Sequence, residues 1–272
     1  MGLGGLYYDG NNGERAIQQR IRRMTETVST TGNNTKPFFD VHGRAFEYVE
    51  FLAFFDSMWT CEGIDFTREP QYWLITIAAL PFGVFGEMLG GDSCTAGPAP
   101  CPMKPGCGES CANRWRGLLF GMTNRAGWNG KDPNNNEGVW SLWDEFGIVE
   151  ARMHGWWEAS APVKIIGAHK ADVLATAWVR QGVGTLIAIG SWHPETVLLT
   201  SADVTIDWSA LGLVPGNSTL TVPTLGGFND PVIAASIEMQ NCTGDLHIPV
   251  SGNKGWVLLI KPITVSQFIS GA

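Results

Sequence analysis

Four short apolar runs near the start of the chain each end in an acidic or imidazole side chain. They are GLYYDG at Asp9, PFFDVHG at Asp40 and His42, MWTCEGID at Glu62 and Asp65, and FGVFGEM at Glu87. Strands buried on both faces read as continuous apolar runs, and in parallel βα architectures polar groups gather where each strand gives way to a loop. The spacing therefore predicts repeated βα units with Asp9, Asp40, His42, Glu62, Asp65 and Glu87 around a common mouth. Asp and Glu also serve as turn formers and helix caps after strands.

The intervening stretches fit this rhythm. In NNGERAIQQRIRRMTETV, Ile17, Ile21, Met24 and Val28 recur at helical spacing, with Asn11 or Asn12 as a cap. Phe46, Val49 and Phe54 suit a second helix, and Trp73, Leu74, Ile77 and Ala78 a third over Glu69 to Leu80. An open doubly wound sheet would give the same alternation, but no G-x-G-x-x-G or Walker sequence follows a strand here.

Past residue 160 the pattern changes to short β-type runs: DVLATAWVR, GTLIAIGSW, DVTIDW, STLTVPTL, DLHIPV and GWVLLIKP. Turn residues separate them, which implies an antiparallel β-sandwich. The expected class is α/β plus all-β: a partial (β/α)8 TIM-type barrel over 1–160, with a Cys-rich insertion at 90–113, then a sandwich over 161–272. Between them VWSLWDEFGIVEARMHGWWEA reads as one helix, with Leu142, Phe146, Val149 and Met153 on one side.

A net charge of −8 excludes the basic stripe that nucleic-acid binding demands. Arg20, Arg22 and Arg23 are the single basic concentration and read as the solvated face of the first helix. No apolar run reaches membrane-spanning length, since Trp73 to Met88 is broken by Pro81 and several glycines. Asp40-x-His42 with Glu62 offers oxygen and nitrogen ligands, but no spaced His or Cys set makes a metal site specific, so neither metal nor cofactor is expected.

Twelve tryptophans are many for 272 residues, and Trp59, Trp128, Trp156, Trp157 and Trp192 lie beside polar residues. Indoles fill large core gaps, and they also stack on the apolar faces of sugar rings. Acid clusters with aromatic walls suit glycosidic cleavage, which needs a proton donor and a group that stabilises positive charge at the anomeric carbon. Glu62 and Glu87 are the candidate acid or base, with Asp9, Asp40, His42, Asp65, Trp59 and Trp128 as carbohydrate-binding groups.

The order GLYYDG, ERAIQQRIRR, DVHG, MWTCEGID, IAALPFGVFGEML, RGLLFGMTNRAGW, LWDEFGI and a β-rich tail resembles the C-terminal portion of glycoside hydrolase family 123-type proteins. The resemblance implies glycans ending in N-acetylhexosamine and an internal nucleophile supplied by the substrate's acetamido group. It also implies an Asp-Glu pair on a strand upstream of GLYYDG, the Asp orienting the acetamido group and the Glu protonating the leaving oxygen. Asp144-Glu145 is an adjacent acidic pair in a helical context and does not match that position. The chain is thus expected to be a truncated product keeping the second half of a barrel, either hydrolase-like or a non-catalytic glycan-binding protein. Half a barrel would leave strand edges through which copies self-associate.

Cys94, Cys101, Cys107 and Cys111 lie in a Gly- and Pro-rich stretch with no apolar pattern, where two disulfides are the expected staple and zinc the alternative. Together with N-x-S/T triplets at Asn33, Asn217 and Asn241, they suggest the secretory pathway or an extracellular setting, although MGLGGLYYDG lacks the features of a signal peptide.

Overall fold

The computed structural model describes residues 5–8, 15–30, 36–42, 49–50, 52–60, 68–89, 113–124, 136–194, 197, 200–225, 231–240 and 242–263. The chain divides into two compact units, 1–113 with 120–128, and 114–119 with 129–272.

The first unit is built on five parallel strands, β1 (Gly5–Tyr8), β2 (Phe38–His42), β3 (Ser57–Thr60), β4 (Phe85–Leu89) and β5 (Thr123–Asn124). They lie side by side in chain order. Doubly wound sheets reverse direction at a switch point, whereas sequential order is the winding of βα barrels. Helix α1 (Arg15–Thr30) joins β1 to β2. One face of the sheet carries Phe39, Val41 and Met58 into a core with Leu52, Phe55, Ala79 and Val84.

The helix does not bury the face its periodicity suggests. Ile17, Met24 and Val28 are exposed, and Gln18 is the buried residue. A polar anchor explains the rotation. Arg22 donates to Asp56 Oδ2 at 3.2 Å and to the Phe54 carbonyl at 2.8 Å, and its guanidinium sits 4.3 Å from the centre of the Phe39 ring. Asp56 Oδ2 also accepts the Phe39 N–H at 2.9 Å. One carboxylate thus ties α1, the start of β2 and the approach to β3. Of the three arginines expected in solvent, Arg22 is turned inward, while Arg20 and Arg23 are exposed. Tyr8 packs edge-on against Phe55 at 5.4 Å, and burial pushes its phenol up, partly offset by the positive charge of Arg22.

Two other helices differ from expectation. The described part of the second segment is a turn and a single 3-10 turn at Leu52–Phe54, with Val49 exposed. In the third, α2 (Pro70–Tyr72) runs into a π turn at Trp73–Ile77, closed by Ala78 N–H donating to the Trp73 carbonyl at 2.8 Å. The wider turn buries Trp73, Ile77 and Ala78 together.

The second unit holds two antiparallel sheets. One has β7 (Val163–Ile166), β10 (Thr200–Ile206) and β12 (Leu246–Val250) in the order β12-β10-β7. The other has β6 (Arg152–His154), β8 (Val173–Arg180), β9 (Gly184–Ser191), β11 (Ser218–Thr221) and β13 (Gly255–Pro262) in the order β11-β13-β9-β8-β6. Val163, Val204 and Ile248 from the first join Ala175, Ile187, Ile189 and Leu258 from the second in one apolar cluster. Helix α3 (Asn113–Leu118) covers part of the second sheet's other face. Gly190 and Gly255 are partners in the β9–β13 ladder, and a Cβ on either would press against Trp115 or Leu119. Missing side chains therefore let the helix approach. Arg116, 1% exposed, donates to Asn253 Oδ1 at 2.9 Å and to the Ser191 carbonyl at 3.3 Å, and lies over the Trp192 ring.

The long helix expected after residue 138 is shorter. α4 (Asn136–Phe146) stops at Gly147, whose φ of 70° is left-handed, the usual residue for a helix end. Val149 is 93% exposed and Met153 belongs to β6. The remaining helix, α5 (Pro231–Glu238), lies between β11 and β12.

Two substitutions test these anchors. Asp56→Ala removes acceptors from a part-buried guanidinium and a strand N–H, and is expected to cost about 2 kcal/mol in urea denaturation. Gly255→Ala places a Cβ 1.9 Å from the Ile189 carbonyl oxygen and is expected to destabilise by about 1–3 kcal/mol in the same assay.

Candidate functional site

Strand alternation sends Phe39, Val41 and Met58 to the core, so the residues between them share the opposite face of the parallel sheet. The register then sets neighbours: Tyr7 aligns with Asp40, Asp40 with Ser57, and His42 with Trp59. Near the carboxyl ends of the strands this forms an aromatic shelf. The His42 and Trp59 rings stack with centroids 4.5 Å apart and planes 22° apart. Tyr7 stands 6.4 Å from His42 and 5.9 Å from Trp59. Toward the amino ends, Phe38 and Phe85 are in contact at 6.2 Å.

Asp40 lies below the shelf, 8% exposed, and its Oδ1 accepts the Ser57 hydroxyl at 2.6 Å. Ser57 is fully buried. A buried carboxylate needs such a donor, and this one fixes the acid within the sheet.

The structure thus brings together two of the residues expected at the mouth, Asp40 and His42, with Trp59, expected as a carbohydrate-binding group. It adds Tyr7 and Ser57, which sequence reasoning missed. Alternation held the signal for Tyr7: with Leu6 and Tyr8 packed on the core, the other tyrosine of GLYYDG takes the opposite face. Glu87 lies on β4 by its backbone, and its side chain is outside the described residues. Asp9, Glu62, Asp65 and Trp128 are outside them as well, as are the four cysteines of the insertion and Asn33 and Asn241. Asp144 and Glu145 lie on α4. Among the described residues no group of three His, Cys, Asp or Glu is placed to hold a metal ion, and no helix is long and apolar enough to cross a membrane.

Two family profiles match the chain. One, described as the glycoside hydrolase 123 TIM-barrel domain, covers residues 1–97, and the other, described as the glycoside hydrolase 123 C-terminal domain, covers residues 135–261. The chain belongs to the glycoside hydrolase family 123-type proteins. Among solved structures it is similar to a glycoside hydrolase family 27 β-L-arabinopyranosidase from Geobacillus stearothermophilus, with 10% identity and a TM-score of 0.50, over 92% of this chain and 55% of that one. An Anoxybacillus α-amylase gives 10% identity and a TM-score of 0.49 over 92% and 57%. The chain spans just over half the length of each. Among curated proteins, none matches it. The class defined is a glycoside hydrolase family 123-type chain with α/β and antiparallel β parts.

Ser57→Ala strips Asp40 of its buried donor. The expected result is a stability loss of about 1–3 kcal/mol, measured by thermal or urea unfolding.

Proposed function

We propose that the chain handles glycans ending in N-acetylhexosamine, with the aromatic shelf of Tyr7, His42 and Trp59 as the wall on which the terminal ring rests. The observation that carries this reading is the His42–Trp59 stack near the carboxyl ends of parallel strands, within a region matched by a glycoside hydrolase profile. Sites of βα barrels form at that end of the strands. An indole offers a flat apolar surface to a sugar's C–H face, while the imidazole edge exchanges hydrogen bonds with hydroxyls.

In this reading the five parallel strands are part of a (β/α)8 barrel, and the two antiparallel sheets are a β-sandwich. Chemistry follows the family route: the substrate's acetamido oxygen attacks the anomeric carbon, an Asp orients that group, and a Glu protonates the leaving oxygen. Glu62 and Glu87 are the candidate acids for that chemistry. The alternative is a glycan-binding protein without turnover. It is favoured by Asp40, the carboxylate described on the shelf's face, being buried and bonded to Ser57. We further propose association between copies through the same sheet, where Tyr7, Phe38 and Phe85 are 47%, 42% and 46% exposed. A stable monomer in light scattering would reject that association.

Chromogenic N-acetylgalactosaminide and N-acetylglucosaminide decide between catalysis and binding. Turnover that falls at least a hundredfold in Glu62→Gln or Glu87→Gln gives the chain its own acid, on the scale of general-acid catalysis at roughly 10²–10⁴-fold. Binding without turnover, weakened by Trp59→Ala, supports the alternative. Absence of both overturns the proposal.

A further inference from the structure

Of the three N-x-S/T triplets in the sequence, the one at Asn217 lies among the described residues, at the entry to β11. Such a triplet accepts a sugar on the surface of a secreted protein, so what decides is where the carboxamide stands and what already holds it.

The chain enters β11 through a tight turn with Pro215 and Gly216 at its centre. Gly216 takes a left-handed φ of 74°, and the Asn217 N–H donates to the Val214 carbonyl at 3.1 Å. Proline followed by a left-handed glycine is the pairing such a turn favours. The Gly216 N–H donates to the Cys242 carbonyl at 2.6 Å, and the Asn217 carbonyl accepts the Ile263 N–H at 3.0 Å. Both backbone groups of Asn217 are therefore committed. Its side chain is exposed, and its carboxamide makes no hydrogen bond among the described residues.

Alternation separates the two hydroxyls of the triplet. Ser218 and Leu220 are buried, so Asn217 and Thr219 fall on the other side of the strand. The Ser218 hydroxyl donates to the Val214 carbonyl at 3.1 Å, whereas Thr219 makes an exposed 3.4 Å contact with the Lys261 carbonyl. The amide and the threonine that define the triplet thus share one side, and the residue between them points inward.

The position also matters to the sheet. β11 ends the five-stranded sheet and pairs with β13 alone. An open edge is a template for a further strand unless something blunts it. At the far end of β11 the Glu238 carboxylate of α5 takes the Val222 N–H at 2.6 Å. Asn217 stands at the near end.

We propose that Asn217 is an N-glycosylation site. In the reaction the Asn217 amide nitrogen bonds to the anomeric carbon of the first sugar of a lipid-diphosphate-linked oligosaccharide. The bond from that carbon to the diphosphate oxygen breaks, the lipid diphosphate leaves with the bonding electrons, and one amide proton passes to a base of the transferase. Donor and transferase belong to a glycosylating secretory compartment, so the site places the chain on that route. The attached glycan projects from the turn and shields the near end of the edge, as Glu238 covers the far end. This inference does not depend on the reading under Proposed function.

The test is peptide mass mapping of the full chain recovered from the cells that make it, before and after peptide N-glycosidase digestion in heavy-oxygen water. The expected result is a peptide spanning Asn217 that carries a glycan and returns, after digestion, with a heavy-oxygen aspartate at that position. Thr219→Ala is expected to abolish the modification with Asn217 itself intact, and Thr219→Ser to restore part of it, which separates enzymatic transfer from chemical glycation. The Thr219 hydroxyl makes an exposed, long contact, so these variants keep the fold. An Asn217 peptide found only unmodified, glycan at Asn33 or Asn241 alone, or modification that persists in Thr219→Ala overturns the proposal.

Discussion

The register between β2 and β3 is the constraint on which the first unit depends. Side chains alternate across a strand, so pairing Asp40 with Ser57 and His42 with Trp59 delivers Phe39, Val41 and Met58 to the core. A one-residue slip of either strand would bury the imidazole and the carboxylate among apolar side chains and expose the core residues. Asp56 guards against that slip, because it holds the Phe39 N–H and Arg22 at once. The ion pair fixes position more than it adds stability, since a part-buried pair recovers little beyond its desolvation cost. Its geometry also accounts for the orientation of α1: the helix turns to bring Arg22 to Asp56, even though this leaves Met24 and Val28 in solvent.

In the second unit a comparable role falls to absent side chains. The sheet formed around β9 and β13 is covered on both faces, which is why GTLIAIGS and GWVLLIKP read as continuous apolar runs without clear alternation. Gly190 and Gly255 give α3 its approach, and the buried guanidinium of Arg116 then reaches backbone and side-chain oxygens next to them. Asn253 takes φ of 54°, left-handed for a residue other than glycine, and in that turn its side chain receives Arg116.

How much of this was legible in the sequence depends on whether the deciding interaction is local. β1 through β4 and the long strands of the second unit could be read because each is an apolar run bounded by turn residues. β6 and β7 were missed: RMH lies inside a helical-looking string, and VKII is too short to stand out. The end of α4 was also legible in hindsight, since Gly147 interrupts the pattern, yet Val149 and Met153 fall at spacings that imitate a continuing helix. The inward turn of Arg22 was not legible, because its partner is 34 residues away. For the candidate site, the apolar runs pointed to Asp40 and His42, and the register sets them beside Ser57 and Trp59. Tyr7 required knowing which of two adjacent tyrosines faces away from the core.

Residue type alone does not distinguish a ligand site from a structural one; commitment to hydrogen bonds and packing does. A carboxylate beside an indole occurs in both units. Asp40 is bound by Ser57 beneath Trp59, and Glu158 is bound by Gly155 and His154 beside Trp156. Neither acid is idle, so neither neighbourhood is an acid site on composition alone. What remains available differs. At the shelf it is the surface of stacked rings, which suits a neutral sugar face. In the cavity between β7 and β8 it is an aliphatic wall, since the Trp156 Nε1 is buried beyond the reach of a ligand.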